Sequence, residues 1–392
     1  MTNKVYAMAF LAVLVLAALA QAQTFTTLYS FTGGSDGGQP WAGLIQDPAG
    51  NLYGTAWEGG DLNCNAPNGC GVVFEVNTAG TETVLDSFSG SASGEWPHLP
   101  VARNKAGNLY GTTADGGSNG YGTVFRVKQG KNGKWKGRVL YSFVGEPDGC
   151  YPNQGLVIDN AGNLYGTTSQ CGFDDYGTIF EVDGAGNFTL LHSFAGSPSD
   201  GAYPGYGHLT IDKSGNLYGV TTGGGAYNDG VLYELSKNGT FTVLHSYAGG
   251  TSDGCVPWGT VAMDKAGNFY GTTVYCGTSS NGTVWKVSNK GEETILHNFA
   301  GGSSDGCYPP GGVARDSKGN LYGVTQGCGA NAYYGALYEL SAKGELTLLH
   351  SFDKSDGAYP VGEVLRTTQN TLYGTTSSDG TYGYGTVWSY VP

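Results

Sequence analysis

The chain has 392 residues and a formal net charge of −13, with 19 Lys and Arg against 32 Asp and Glu. This acidic balance argues against nucleic-acid binding, which depends on clustered basic side chains. Charged residues make up only 13% of the chain, whereas Gly (69) and Tyr (27) are abundant. Such a composition suits an extracellular protein that contacts neutral or cationic ligands.

Residues 1–22 have the features of a secretory signal peptide. Lys4 provides the basic start, residues 7–20 are apolar, and Ala20-Gln21-Ala22 offers a cleavage site of small residues before Gln23. The apolar run is short for a membrane span, and no later stretch is apolar for 18 residues. We therefore expect residues 23–392 to form one secreted or periplasmic domain that is monomeric and does not cross a membrane.

A motif of the type Asn-Leu-Tyr-Gly recurs seven times, at steps of 51 to 57 residues. Its tyrosines are Tyr53, Tyr110, Tyr165, Tyr218, Tyr270, Tyr322 and Tyr373. Around each copy lie four short runs rich in β-branched and aromatic residues, separated by turns that begin with Asp or Asn and end with Gly. Self-similarity at about 50 residues, built of short strands, is typical of propeller blades. The sequence predicts an all-β fold, a seven-bladed β-propeller of four-stranded blades.

The phase of the repeat predicts how the ring closes. If the strand after each aromatic–proline pair is innermost, the last repeat ends at residues 385–390 without an outer strand. A spare outer strand lies at residues 25–31. We expect it to complete the seventh blade, which joins the two ends of the chain and removes a free sheet edge.

The eight cysteines form four pairs in the repeat. Cys150 and Cys171, Cys255 and Cys276, and Cys307 and Cys328 are each 21 residues apart, and the other four blades have cysteine at neither position. Cys64 and Cys70 lie in an inserted loop of the first blade. An even number of cysteines in an exported chain predicts disulfides, and the absence of a Cys-x-x-Cys motif argues against a metal site.

The recurring pattern resembles a known repeat. The fourth copy runs from Leu191-His192-Ser193-Phe194 through Gly215-Asn216-Leu217-Tyr218-Gly219 to Gly230-Val231-Leu232-Tyr233. It is similar to the GloVer repeat of exported "choice-of-anchor" proteins from acidobacteria, verrucomicrobia and similar organisms, over residues 25 to 390. The resemblance implies a propeller at the cell surface and carries no established reaction. Many members end in an anchoring segment, whereas this chain ends directly after a strand.

One aromatic residue stands beside a proline at the entry of each inner strand. These residues are Trp41, Trp96, Tyr151, Tyr203, Trp258, Tyr308 and Tyr359. Aromatic faces stack on sugar rings and hold peptides or cations, because they bury a large area at little entropic cost. The alternative is that they only pack neighbouring blades together.

The histidines divide into two groups. His192, His245, His297 and His350 share one outer-strand position and are interpreted as structural. His98 and His208 fall outside that pattern, so a general base or metal ligand would be sought there. They belong to blades 2 and 4, so they can share a site only across the channel mouth, and an incidental role stays open.

Arginines and aspartates recur as well. Arg103, Arg315 and Arg366 share one inner-strand position in blades 2, 6 and 7, and blade 1 has Gln46 there. These four blades follow one another around the ring, so the arginines either form a basic patch that holds an acidic ligand or pair with nearby Asp. The Ser-Asp-Gly elements supply Asp36, Asp148, Asp200, Asp253, Asp305 and Asp356. Calcium binding is an option for these carboxylates, but turn capping explains their spacing with fewer assumptions.

The leading functional hypothesis is an exported, non-catalytic binding or surface-interaction propeller for a glycan or peptide, without a cofactor. One alternative is a polysaccharide-active lyase or hydrolase that uses His98 and His208. Another is a purely structural surface protein. An enzyme requires the two histidines to converge in one deep pocket, whereas a binding protein requires an aromatic surface.

Overall fold

Seven small antiparallel sheets form a ring, which confirms the predicted seven-bladed propeller. The structure is a computed structural model that describes residues 23–91, 93–331 and 333–392, so the predicted signal peptide lies outside the described residues. In this part of the chain there is no helix, and hence none long and apolar enough to span a membrane.

The blades follow one another in chain order, and the four strands of each blade run from the innermost to the outermost. Blade 1 is Ile45–Gln46, Leu52–Ala56, Val72–Val76 and Glu82–Ser87; blade 2 is Ala102–Arg103, Leu109–Thr113, Thr123–Gln129 and Trp135–Ser142; blade 3 is Val157–Ile158, Leu164–Thr168, Thr178–Val182 and Phe188–Ser193; blade 4 is Thr210–Ile211, Leu217–Gly224, Val231–Leu235 and Phe241–Ser246. Blade 5 is Ala262–Met263, Phe269–Cys276, Thr283–Val287 and Glu293–Asn298; blade 6 is Ala314–Arg315, Leu321–Thr325, Ala336–Leu340 and Leu346–Ser351; blade 7 is Leu365–Arg366, Leu372–Ser378, Thr386–Val391 and Thr24–Ser30. Short strands also pair at the entries of blades 4 to 7, namely Gly201–Pro204, Gly254–Pro257, Gly306–Cys307 with Gly327–Cys328, and Ala358–Pro360.

The ring closes as predicted. Thr24–Ser30 pairs antiparallel with Thr386–Val391, with Thr24 opposite Val391 and Ser30 opposite Thr386. Blade 7 is therefore built from both ends of the chain.

The core consists of seven apolar clusters, one between each pair of neighbouring blades. In each blade an aromatic residue of the third strand lies opposite the glycine of the Tyr-Gly motif; Phe74 faces Gly54 and Trp285 faces Gly271, for example. The glycine leaves room for the ring. The motif is thus a packing device of the blade.

The Asn and Tyr of the motif hold the turn that precedes them. In blade 1 the Asp47 carboxylate accepts hydrogen bonds from the backbone N–H groups of Ala49 and Asn51, and from the Asn51 amide and the Tyr53 hydroxyl. The same set recurs around Asp159, Asp212 and Asp264. This is the turn chemistry expected of Asp at a hairpin.

All four predicted disulfides are present: Cys64–Cys70, Cys150–Cys171, Cys255–Cys276 and Cys307–Cys328. The last three join the entry of an inner strand to the end of the second strand of the same blade. Four bridges and no free cysteine indicate an oxidising environment.

Candidate functional site

The loops from outer to inner strands and from second to third strands share one face, which we term the upper face. At each inner-strand entry on this face, the residue before the proline has a positive φ of 51° to 60°. These residues are Gln39, Trp96, Tyr151, Tyr203, Val256, Tyr308 and Tyr359. The backbone N–H of Tyr308 donates to Asn281 O of the preceding blade at 2.8 Å, and Tyr203 and Tyr359 make the equivalent bonds. The position is therefore fixed by contacts between blades.

The aromatic residues expected to form one ring occupy two positions. Five of them precede the proline, but Trp41 and Trp258 follow it and line the upper part of the central channel. There Trp258 meets Tyr206 edge-on, with ring centroids 4.9 Å apart. Trp57, which the sequence analysis did not single out, stands between Trp41 and Trp96, with ring centroids 6.1 Å from each.

His98 and His208 line different cavities of the channel. His98 lines the upper cavity, and its ring lies 5.0 Å from that of Trp57. This cavity measures only about 60 Å³, whereas ligand pockets usually measure ~300 Å³ or more. Below it lies a second cavity of about 460 Å³, lined by His208. The convergence that an enzyme based on these two histidines requires is absent from the described channel.

His208 is held by Glu363 across the channel. Its Nε2 lies 3.2 Å from Glu363 Oε2, and its Nδ1 lies 2.9 Å from Leu209 O. Burial alone would lower the pKa of His208, but the hydrogen bond and the charge of Glu363 raise it above the ordinary value. His208 and Glu363 occupy the same position of the repeat, which is Gly, Pro or Thr in the other blades. A charged residue at a position that is otherwise Gly, Pro or Thr was the feature of the sequence that marked Glu363, and it was not used in the prediction.

We predict that His98 makes folding sensitive to acid. Burial lowers its pKa to about 4, so the folded state binds fewer protons than the unfolded state between about pH 6.5 and pH 4. The contribution of His98 to the free energy of unfolding is fully present above pH 6.5. It decreases as the pH falls towards 4, by roughly 3 kcal/mol at most. Thermal unfolding of His98→Gln between pH 7 and pH 4.5 should show a shallower acid-induced fall than wild type.

His208→Gln is the matched control for this prediction. The pKa of His208 is raised, so its contribution is present at low pH and is lost as the pH rises, which is the opposite sign. His208→Gln should therefore steepen the acid-induced fall. Parallel pH profiles for His98→Gln and wild type would contradict the prediction.

The three predicted arginines line the lower channel cavity, but the guanidinium groups of Arg315 and Arg366 lie over tyrosines of the neighbouring blades. The guanidinium carbon of Arg315 lies 5.2 Å from the centroid of Tyr270 in blade 5, and that of Arg366 lies 5.7 Å from that of Tyr322 in blade 6. No arginine of the described ranges forms an ion pair with a carboxylate. The expected pairing with Asp is therefore not seen, and binding of an acidic ligand by these residues stays a prediction.

The Asp of the Ser-Asp-Gly elements caps its loop. Asp200 accepts hydrogen bonds from the backbone N–H groups of Ala195 and Gly201, and its carboxylate contacts His192 Nε2 at 3.0 Å. Tyr29 and Tyr141 replace the histidine in the bonds to Asp36 and Asp148. These contacts explain the repeated aspartates, and the outer-strand histidines of blades 3, 5 and 6, as parts of the loop architecture.

A groove lined by several aromatic residues lies on the upper face at blades 5, 6, 7 and 1, and we term it the tyrosine groove. It encloses about 770 Å³. Its aromatic residues are Trp41, Tyr308, Tyr333, Tyr359 and Tyr384, and its polar side chains come from Gln39, Asn281, Gln326, Ser377 and Ser378. Trp41 and Gln326 also line the upper channel cavity, so the groove continues to the channel mouth.

Three of the predicted aromatic residues, Trp41, Tyr308 and Tyr359, meet in this groove. Trp96, Tyr151 and Tyr203 belong to blades 2, 3 and 4 and do not line it, and Trp258 lies in the channel. Tyr333 and Tyr384 lie in loops between second and third strands, and they were not predicted from the sequence. A recurring Tyr-Gly pair before the third strand was the available signal for Tyr384.

The structure is similar to solved propeller-like enzymes at low sequence identity. A Bacteroides uniformis protein provisionally named a 6-phosphogluconolactonase is 15% identical, with 79% of this chain and 84% of that chain covered and a TM-score of 0.51. A gluconolactonase from Xanthomonas campestris is 13% identical, with 95% and 92% covered and a TM-score of 0.47. A luciferin-regenerating enzyme is 11% identical, with 94% and 95% covered and a TM-score of 0.46. At these identities the likeness concerns the fold alone.

The sequence itself matches a repeat family. No curated protein matches it. A family model described as the Gloeobacter/Verrucomicrobia repeat matches residues 63–259 and 199–388, in agreement with the resemblance seen in the motif. Together these ranges cover most of the seven blades, and the chain therefore belongs to the Gloeobacter/Verrucomicrobia repeat family.

Proposed function

We propose that this protein is an exported binding module, secreted or periplasmic, that holds a neutral glycan in the tyrosine groove. The observation that carries the proposal is the groove itself, which combines five aromatic side chains with amides and hydroxyls. Aromatic faces pack on the apolar faces of sugar rings, and amides and hydroxyls hydrogen-bond to sugar hydroxyls. Its volume falls within the range of ligand sites, ~300–1,000 Å³.

The exposure of the tyrosines supports a binding role. Tyr308, Tyr359 and Tyr384 are 38%, 39% and 40% exposed, so each is anchored in the fold and still offers part of its ring to solvent. The Cys307–Cys328 disulfide lines the groove and joins the loops that carry Tyr308 and Tyr333. The bridge ties Tyr308 to the end of the second strand before a ligand arrives, which reduces the entropic cost of binding.

The absence of carboxylate, ammonium, guanidinium and imidazole groups from the described lining favours binding over catalysis. Among the described residues that line the groove, none is Asp, Glu, Lys, Arg or His. Glycoside hydrolysis usually requires two carboxylates flanking the scissile bond. A groove of this composition suits an uncharged ligand that is held without being cleaved, which also favours a glycan over a charged peptide.

Binding to an array of neutral polysaccharides tests the proposal. Tyr359→Ala should weaken binding of the recognised glycan roughly tenfold, because one stacking face worth about 1–2 kcal/mol is lost. Tyr203→Ala is the matched control, since Tyr203 occupies the same repeat position in blade 4 and does not line the groove. Its affinity should equal that of wild type.

Three outcomes would overturn the proposal. Equal affinity of Tyr359→Ala and wild type would place the ligand elsewhere. New reducing ends or unsaturated products in the same array would indicate the alternative, a polysaccharide lyase or hydrolase. No binding to any glycan would favour a peptide ligand or a purely structural surface protein.

A further inference from the structure

The histidine–aspartate pair of blade 4 differs from its counterparts in the other blades. His192 stacks on Phe241, the first residue of the next outer strand, at a centroid distance of 4.2 Å, and His350 stacks on Phe25 at 3.7 Å. The residue at the equivalent position next to His245 is Glu293. A carboxylate thus replaces the stacking ring at the interface of blades 4 and 5.

The three side chains converge without forming hydrogen bonds through the imidazole. His245 Nε2 lies 3.6 Å from Asp253 Oδ2 and 3.6 Å from Glu293 Oε2. In blades 3, 5 and 6 the same nitrogen lies 3.0, 3.1 and 2.7 Å from its aspartate. In blade 4 the ring therefore stands midway between two carboxylates instead of bonding to one.

Two atoms of this cluster are buried and have no hydrogen-bond partner, His245 Nε2 and Glu293 Oε1. The side chains of His245, Asp253 and Glu293 are only 16%, 10% and 11% exposed. Leaving such groups buried and unpaired costs free energy. The cluster therefore lacks a central electron-pair acceptor that could bind the lone pairs of all three side chains at once.

The charge of the cluster points to the same missing partner. The carboxylates of Asp253 and Glu293 both face His245 Nε2 at 3.6 Å, in a site where the two acids are only 10% and 11% exposed. Two carboxylates this close cannot both ionise in a buried site unless a cation neutralises them. A divalent cation would allow both to ionise and would pair with the imidazole nitrogen.

We propose that His245, Asp253 and Glu293 bind a divalent cation of the zinc type between blades 4 and 5. One imidazole nitrogen and two carboxylate oxygens are ligands that Zn²⁺ accepts. Ligands at ~2.0–2.1 Å from a tetrahedral ion lie about 3.3 Å from one another. His245 Nε2 lies 3.6 Å from each acid and all three ligand atoms lie within 4.8 Å of one another, so side-chain shifts suffice to bring them to that spacing. Ca²⁺ fits less well because it prefers six to eight oxygens.

The surroundings hold the ligands in place. The Asp253 carboxylate accepts hydrogen bonds from the backbone N–H groups of Ala248 at 2.7 Å and Gly254 at 2.6 Å, which fixes its orientation. His245 lies on the outer strand of blade 4 and Glu293 on that of blade 5, so the ion would clamp two blades at the rim. The site is separate from the tyrosine groove and independent of the proposed function.

The repeat supplies a matched control residue. Glu82 occupies the position of Glu293 in blade 1, and it is also buried enough to raise its pKa to about 7. Its neighbours are Tyr29 and Asp36, which hydrogen-bond to each other at 2.9 Å. The imidazole is missing there, so Glu82→Leu should leave zinc binding unchanged.

Isothermal titration of the chelator-treated full chain with Zn²⁺ tests the proposal. Wild type and Glu82→Leu should bind one ion with equal affinity, and Glu293→Leu should bind at least about 100-fold more weakly. Saturating Zn²⁺ should raise the melting temperature of wild type and Glu82→Leu by about 3–5 °C and should not raise that of Glu293→Leu. Leu is the natural residue at this position in blade 6, Leu346, so Glu293→Leu is expected to fold.

Two results would overturn the proposal. The first is the absence of stoichiometric Zn²⁺ binding by wild type, which would leave a carboxylic acid–carboxylate pair that shares a proton. The second is binding by Glu293→Leu as tight as by wild type, which would show that Glu293 is not a ligand of the ion. The folded state of each variant in chelator, checked by far-UV circular dichroism, separates loss of binding from loss of structure.

Discussion

A chain that begins at Thr32 instead of Gln23 is expected to lose cooperative folding. The missing residues 23–31 contain the outer strand of blade 7, whose six aligned residues pair with Thr386–Val391. They also contain Phe31, which is fully buried, and Phe25, which stacks on His350. Their removal uncovers Trp388 and Tyr390 and leaves an open sheet edge, which is a template for aggregation.

The size of the effect follows from the buried side chains. Each buried large apolar side chain contributes about 1.5–3 kcal/mol, so the loss of Phe25, Leu28 and Phe31 and the exposure of their partners costs more than about 5 kcal/mol. Whole domains are stabilised by only about 5–15 kcal/mol. Urea denaturation should show no cooperative transition for the shortened chain, and size-exclusion chromatography should show aggregates.

A relocated strand provides the control. Residues 24–31 can be placed after Pro392 through the sequence Asn289-Lys290-Gly291-Glu292, so that Pro392 takes the place of Ser288 in the five-residue loop between the third and outer strands of blade 5. Because Thr24 lies opposite Val391, the moved strand can pair in its original register as a hairpin. It should restore a cooperative transition. A shortened chain as stable as the full one would show that ring closure is unnecessary.

The features that could be predicted from the sequence are those that the repeat states several times. The strand count, the closing strand and the Cys150–Cys171 type of bridge all follow from comparing one blade with the next. Each blade has cysteine in both loops or in neither, and this pattern predicts the disulfide without knowledge of the three-dimensional structure. The same comparison identified the repeated histidines as structural.

The features that escaped prediction depend on direction or depth. Trp41 and Trp258 stand after their prolines, whereas Tyr308 and Tyr359 stand before theirs, and this shift of two positions sends one pair into the channel. The depth of His208 below His98 is a difference along the channel axis, which depends on how each inner-strand entry runs in three dimensions.

The two proposed sites escaped for a related reason. The tyrosine groove combines loops of neighbouring blades, so Tyr333 and Tyr384 become visible as a set only when those loops are seen side by side. Glu293 lies 48 positions after His245, and its signal was a carboxylate at a position that holds Phe241 and Leu346 in the neighbouring blades. Departures from the repeat, more than the repeat itself, marked both the channel pair and the proposed metal site.

The substitution Gly271→Ala is expected to destabilise the protein by about 2–3 kcal/mol, as overpacking in a tight core does. An added Cβ would lie 2.4 Å from Cζ2 of Trp285, the residue opposite in the blade. Trp285 is 1% exposed and packs with Val220, Leu232 and Tyr247 of blade 4, so the ring has no room to retreat. Urea denaturation should show a lower midpoint at an unchanged slope.

Gly184→Ala is the matched control, because a Cβ there meets no heavy atom within 4 Å and the backbone is not in the left-handed region. Its stability should stay within about 0.5 kcal/mol of wild type. A double-mutant cycle then tests the mechanism, since Trp285→Phe gives the smaller ring that blade 1 uses opposite Gly54. Trp285→Phe should remove at least half of the cost of Gly271→Ala, whereas strictly additive costs would contradict a clash between the two residues.

The same contact occurs in every blade, and it gives a physical reason for the motif that defines the repeat. A Cβ on the motif glycine would lie between 2.3 and 2.7 Å from the opposing aromatic side chain in all seven blades. The third-strand aromatics are Phe in three blades, Tyr in two and Trp in two, at Phe74, Phe125, Phe180, Tyr233, Trp285, Tyr338 and Trp388. Because Trp is the largest of these rings, the cost of alanine should be greatest at Gly271 and Gly374 and smaller at Gly54 and Gly166. If the loss of stability caused by alanine did not increase with the size of the opposing ring, the glycine would be required for the backbone conformation and not for the space it leaves.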